Sequence, residues 1–186
     1  PTRGGDWYDG GLWQGLFKHD WGTKNDLVKG SWDYLYRVVA LSNTSLDKLK
    51  EILENDPQNK VVPGYISEVR AFRAMYYYYL LDMFARVPLV TSSTMAMEDV
   101  KQSERSAVFN FVWTELQESV ADLSDAHSNL TGEYYGRMTK PVAYFLLAKL
   151  ALNAEVYMDD NWIDATKLDE VDAGSVASEN FSPKTI

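Results

Sequence analysis

Cysteine is absent from the 186 residues. That removes a disulfide framework, a thiolate metal site and a cysteine nucleophile together. Histidine is scarce: His19 and His127 are the only two, far apart and both in loop-like stretches. No H-E-x-x-H, G-x-S-x-G or phosphate-cradling glycine loop occurs. Basic charge is thin as well. Eighteen Lys and Arg stand against 27 Asp and Glu, a formal net charge of −9, with no basic stripe. A phosphate-backbone partner needs the reverse, so no nucleic acid is expected. No apolar run reaches the roughly 18 residues of a membrane-spanning helix, and no signal peptide is visible. The chain opens on Pro1 and ends on a polar stretch, so both ends read as cut and a longer parent protein is expected.

What is abundant is aromatic: six Trp, twelve Tyr and seven Phe. Such rings serve both core packing and surface recognition, because Tyr and Trp join a large apolar face to one polar handle. The length suits one domain with a real core.

Periodicity predicts an all-α chain. Residues 1–30, rich in Gly, Trp and Asp, carry no sustained period and read as loop or short irregular turns. Helix is predicted over 31–55, capped by Ser31, because Trp32, Leu35, Tyr36, Val39, Asn43, Leu46, Leu49 and Leu53 recur at three- and four-residue steps. Asn55-Asp56-Pro57 ends it. A second helix spans 63–84, where Tyr76-Tyr77-Tyr78-Tyr79 covers every direction and implies burial on most sides. Val87-Pro88-Leu89-Val90 reads as extended. A third helix covers 106–123, capped by Ser106, with Val108, Val112, Leu116, Val120 and Leu123 as its stripe. A fourth runs over 140–157, with Thr139 as cap and Pro141 in the first turn. Residues 158–186 form a polar tail. The helices pair as two hairpins, 31–84 and 106–157, each longer than the roughly 34 residues of a tetratricopeptide unit.

Four blocks within 31–157 carry a family resemblance. Trp32-x-x-x-Tyr36-x-x-Val39-x-x-x-Asn43 is similar to the first shared helix of SusD/RagB proteins. Glu68-x-x-x-x-Arg73-Ala74-Met75-Tyr76-Tyr77, then Leu80, Phe84 and Val87-Pro88-Leu89, resembles the family's E-x4-RA-x-YY…F-x-x-VPL segment. Arg105-Ser106 matches its R-S helix entry, and Gly136-Arg137-Met138-Thr139-Lys140 through Asn153 resembles its GR-x-TK…LLAK-x-x-LN segment. Ala85 departs from the glycine common there, which predicts a different exit from the second helix.

The resemblance implies a SusD-like fold: tetratricopeptide-like helical hairpins beside an irregular, ligand-binding N-terminal loop region. It implies a lipoprotein of the outer membrane, facing outward, that captures oligosaccharide, or in some members peptide, for a SusC-like TonB-dependent transporter. The lipid-bearing cysteine would lie outside this chain. No catalysis and no cofactor are implied. In the family's starch binder the ligand arc uses an Arg, Trp and Asn from the N-terminal stretch, to which Arg3, Trp21 and Asn25 correspond in order. That pattern has a second Trp where this chain has His19.

The residues alone point to the same stretch. Sugars present C–H faces to aromatic rings and hydroxyls to flanking polar groups. Trp7, Trp13 and Trp21 lie among Arg3, His19, Asn25 and several Asp and Gly. The competing role for Trp7 and Trp13 is to anchor the loop on the helices. Glu68, Arg73, Arg137 and Lys140 read as scaffold groups that need partners when buried. Asp159, Asp160, Asn161 and Asp164 form an oxygen-rich cluster without EF-hand spacing: a solvated loop, with a structural calcium ion as the alternative. A helical-repeat adaptor that binds protein, and an enzyme with its catalytic residues elsewhere, remain the competing functions.

Overall fold

The computed structural model describes residues 9–22 and 24–161. The chain divides into two compact units, Pro1–Arg37 and Val38–Ile186, taken here one at a time. Among the described residues there is no strand, only one antiparallel bridge between Pro88 and Gln102. The protein is all-α, as its periodicity predicts.

In the first unit a single 3-10 turn, Asp9–Gly11, leads into a short helix, α1, Leu12–Phe17. The next helix, α2, spans Asp26–Asn55. It begins five residues before the predicted Ser31, because Asn25 caps it. The Asn25 Oδ1 accepts the backbone N–H groups of Leu27 (3.0 Å) and Val28 (3.2 Å), two of the donors a helix start leaves without partners. Asp26 in the first turn adds a favourable charge at the positive end of the helix. The apolar stripe starts only at Trp32, so periodicity missed this first polar turn.

In the second unit α2 buries Val39, Ser42, Asn43 and Leu46. A short connection carries the next cap: Asn59 Oδ1 accepts from Val61 and Val62, both at 3.0 Å. The helix that follows, α3, spans Val62–Phe84 with Pro63 in its first turn. The remaining helices are α4, Arg105–Ser119, extended by a 3-10 turn Val120–Asp122, then α5, Lys140–Leu152, and α6, Ala154–Met158. α3 packs along α4, and both α5 and α6 lie against α4. Ala71 and Ala74, fully buried, permit that approach. Around them lie Tyr77, Leu80 and Leu81 of α3 and Val108, Val112 and Leu116 of α4. Each such aliphatic side chain contributes about 1.5–3 kcal/mol by leaving water.

Three local expectations change. The tyrosine tetrad divides: Tyr77 and Tyr78 are buried, Tyr76 is half-buried and Tyr79 is exposed, so α3 keeps an open side. The predicted helix over 140–157 breaks at Asn153, whose Nδ2 donates to Lys149 O at 2.8 Å. Ser106 does not cap α4. Its backbone N–H (2.9 Å) and hydroxyl (2.6 Å) both donate to the Asp160 carboxylate, which caps the helix from 54 residues away. Ala85 ends α3 at φ 60° and ψ −82°, a positive φ outside the left-handed helical region of a glycine cap.

Candidate functional site

The N-terminal candidates are positioned by the end of α1. His19 N–H donates to Leu16 O at 3.1 Å and Asp20 N–H to Gly15 O at 2.9 Å, the paired bonds of a Schellman turn. His19 occupies the left-handed position of that turn, at φ 56°. Gly15 eases the turn, since a Cβ there would sit 3.3 Å from Asp20 O and push it back by a few tenths of an ångström. The outcome is a fixed reversal that brings His19 and Trp21 together, with ring centroids 5.2 Å apart and planes tilted by 44°.

Exposure separates the aromatic residues from ordinary anchors. Trp13 is 38% exposed and Trp21 45%. Phe17, not chosen from sequence, is 73% exposed one helical turn after Trp13, and only that i,i+4 spacing could have pointed to it. α1 buries no residue at all. Asn25 is brought close in sequence to this group, but its carbonyl oxygen is occupied as the α2 cap, which leaves its amide nitrogen for any ligand. Arg3 and Trp7 lie outside the described residues.

The family blocks of the second unit build the scaffold. Arg73, buried on α3, donates to Glu115 Oε2 (2.6 Å) on α4, to Asn43 Oδ1 (2.7 Å) on α2 and to the Thr91 carbonyl (3.0 Å). Arg70 donates to the other Glu115 oxygen at 2.7 Å. The extended Val87–Val90 segment is fastened to the same knot. Asn43 Nδ2 donates to Val90 O at 2.8 Å, and the Tyr77 hydroxyl donates to Val90 O (3.0 Å) while accepting from Val90 N–H (2.7 Å). Burial pushes the Tyr77 phenol up to about 12. Glu68 and Arg73 thus serve different neighbours, as their five-residue spacing suggests.

Arg137 and Lys140 hold the 124–139 segment. Lys140 Nζ reaches Asp125 at 3.2 Å. Arg137 grips Glu68 through Nε (3.1 Å) and Nη2, and that pairing keeps its guanidinium more firmly protonated. The guanidinium carbon stands 4.8 Å from the Tyr134 ring centre and 5.9 Å from that of Tyr65. Beside this clasp lies a cleft of about 510 Å³, whose lining includes Tyr65, Tyr134, Asp122, Ser124 and Glu133.

Among the described residues no three or more His, Asp or Glu side chains converge as a metal site. In the predicted calcium loop, Asp160 is bound to Ser106, and Asp159 Oδ1 accepts from Asn161 N–H at 2.8 Å. Asp164 lies outside the described residues. No described helix is long and apolar enough to cross a membrane.

These features define a helical scaffold with an exposed aromatic approach segment. The family model described as "Starch-binding associating with outer membrane" matches residues 6–152, and the chain belongs to this SusD-like family. It is 28% identical over 156 residues to SusD-like protein P38 of Formosa agariphila, covering 83% of this chain and 27% of that protein. The starch-binding protein SusD of Bacteroides thetaiotaomicron is 30% identical over 91 residues, 49% of this chain and 15% of that one. Among solved structures, a laminarin-binding SusD-like protein superposes with a TM-score of 0.58 at 28% identity, covering 69% of this chain and 27% of its own. The chain spans about a quarter or less of the length of the relatives it matches.

Proposed function

We propose that this chain belongs to a cell-surface protein that binds oligosaccharide without altering it and hands it to a SusC-like TonB-dependent transporter. The family match over residues 6–152 carries the reading, and two named relatives, one binding starch and one laminarin, support a glycan ligand. Attachment to the outer face of the outer membrane, through a lipid on the parent protein, belongs to the same reading.

Within it, Trp21 and Trp13 stack on sugar faces, and His19 and the Asn25 amide bond hydroxyls beside them. Arg3 and Trp7 complete the set. No cofactor takes part. The exposed rings of Trp13, Phe17 and Trp21 around the turn that ends α1 favour this over a protein-binding adaptor.

Affinity electrophoresis through gels containing starch, laminarin or xyloglucan tests the proposal. At least one glycan should retard the intact protein, and Trp21→Ala should lose most of that retardation with helix content unchanged. Absence of retardation by every neutral glycan sinks the reading. Hand-over is tested separately, by recovery of a TonB-dependent transporter with the affinity-tagged parent protein from detergent-solubilised outer membranes.

A further inference from the structure

We propose a second glycan subsite, for a neutral oligosaccharide, in the cleft between α3 and the segment 122–137. It rests on the glycan-binding reading but on none of the N-terminal residues.

The cleft, at about 510 Å³, falls within the roughly 300–1,000 Å³ of ligand pockets. It holds the side-chain types a sugar requires. Tyr65 is 46% exposed, and Tyr134 also packs on Arg137. Neither phenol hydroxyl has a hydrogen-bond partner among the described residues. The bond from Ser67 Oγ, 3.2 Å long, occupies one Asp122 oxygen and leaves the other open. Glu133 reaches Arg137 only at 3.8 Å. Carboxylates so placed accept pairs of adjacent sugar hydroxyls.

The clasp accounts for Glu68 and Arg137, which hold the 124–139 segment on α3. It does not account for the open Tyr65 ring or for the space beside it. What the clasp adds is order at the rings: Tyr65 and Tyr134 pack on Arg137 before a ligand arrives, which lowers the ordering cost of binding. Charge selects the ligand. Glu68 is neutralised by Arg137 and Asp125 by Lys140, so Asp122 and Glu133 leave the cleft negative. Uronic or sulfated glycans are repelled and neutral ones admitted.

Isothermal titration with xylogluco-, laminari- and malto-oligosaccharides, and with oligogalacturonate, tests this on the intact chain and four variants: Tyr65→Ala, Glu133→Ala, Trp21→Ala and the Tyr65→Ala/Trp21→Ala pair. Circular dichroism monitors the fold, and Glu133, with 76% of its side chain exposed, can be changed with little burden on it. Tyr65→Ala should weaken a neutral ligand about tenfold, equivalent to about 1.4 kcal/mol. Glu133→Ala should weaken it in the same direction, and the pair should bind less than either single variant. Full affinity in both Tyr65→Ala and Glu133→Ala, with loss only in Trp21→Ala, overturns the cleft and leaves the glycan reading standing. Preference for oligogalacturonate also overturns the cleft. Absence of binding by all neutral oligosaccharides removes the reading and the cleft together.

Discussion

Ala85 ends α3 at φ 60° and ψ −82°, a conformation that costs a residue with a Cβ about 1–3 kcal/mol. Ala85→Gly removes that strain at the expense of a floppier unfolded chain. A net gain of about 1 kcal/mol is expected in urea unfolding, without change of m-value. Tyr77 sits in the opposite position, where one hydroxyl satisfies both backbone groups of Val90. Tyr77→Phe leaves the part-buried Val90 N–H without its partner and should cost about 1–3 kcal/mol. The same hydroxyl gives a pH signature. Its folded-state pKa is raised, from 10 to about 12, with burial as the first cause. The unfolded chain therefore loses this proton first. The contribution is complete below pH 10 and falls away as pH rises from 10 towards 12. Unfolding midpoints measured between pH 9 and 12 should show that loss in the native chain and a smaller one in Tyr77→Phe.

At the scale of elements, the Arg73 knot decides the packing of α2, α3 and α4. Glu115 is 8% exposed and holds both Arg73 and Arg70. Glu115→Gln removes the carboxylate that pairs with the buried Arg73 guanidinium and should destabilise by about 3–5 kcal/mol. Its neighbour Glu118, with 57% of its side chain exposed on the same Arg70, should change stability by less than about 1 kcal/mol as Gln. Chemical denaturation of the two variants side by side checks the contrast.

The helices were legible from sequence wherever apolar residues recur, as Val108, Val112 and Leu116 show. Their ends were legible only where the cap is local. Thr139 was visible as the residue preceding α5, where it holds the cap position, but its side chain makes no capping bond. Asn25 was overlooked because the turn it starts has no apolar stripe. Asp160 was unreadable because its partner Ser106 is 54 residues distant. The break at Asn153 was hidden because the apolar residues continue through it on both sides.

For the whole molecule, legibility divides differently. The family was readable because the blocks that carry its resemblance are the scaffold: Glu68, Arg73 and Arg137 each fix a contact between elements. The N-terminal candidates were readable as a composition, Trp beside Asp, Gly and His, but not as a geometry, and Phe17 was lost because nothing in a list of residues distinguishes a surface ring from a buried one. The cleft was unreadable, since Tyr65, Asp122 and Glu133 come from stretches that only the fold brings together.

The reach of Arg73 also has a consequence for synthesis. Its partners Asn43 and Thr91 lie 30 and 18 residues away, but its counter-ion follows 42 residues later. A nascent chain that ends before residue 115 already contains α2, α3 and the Val87–Val90 strap, yet must keep Arg73 hydrated. The knot therefore cannot close as those segments emerge. It waits for α4, and the first half of the scaffold is held open until the middle of the chain has been made.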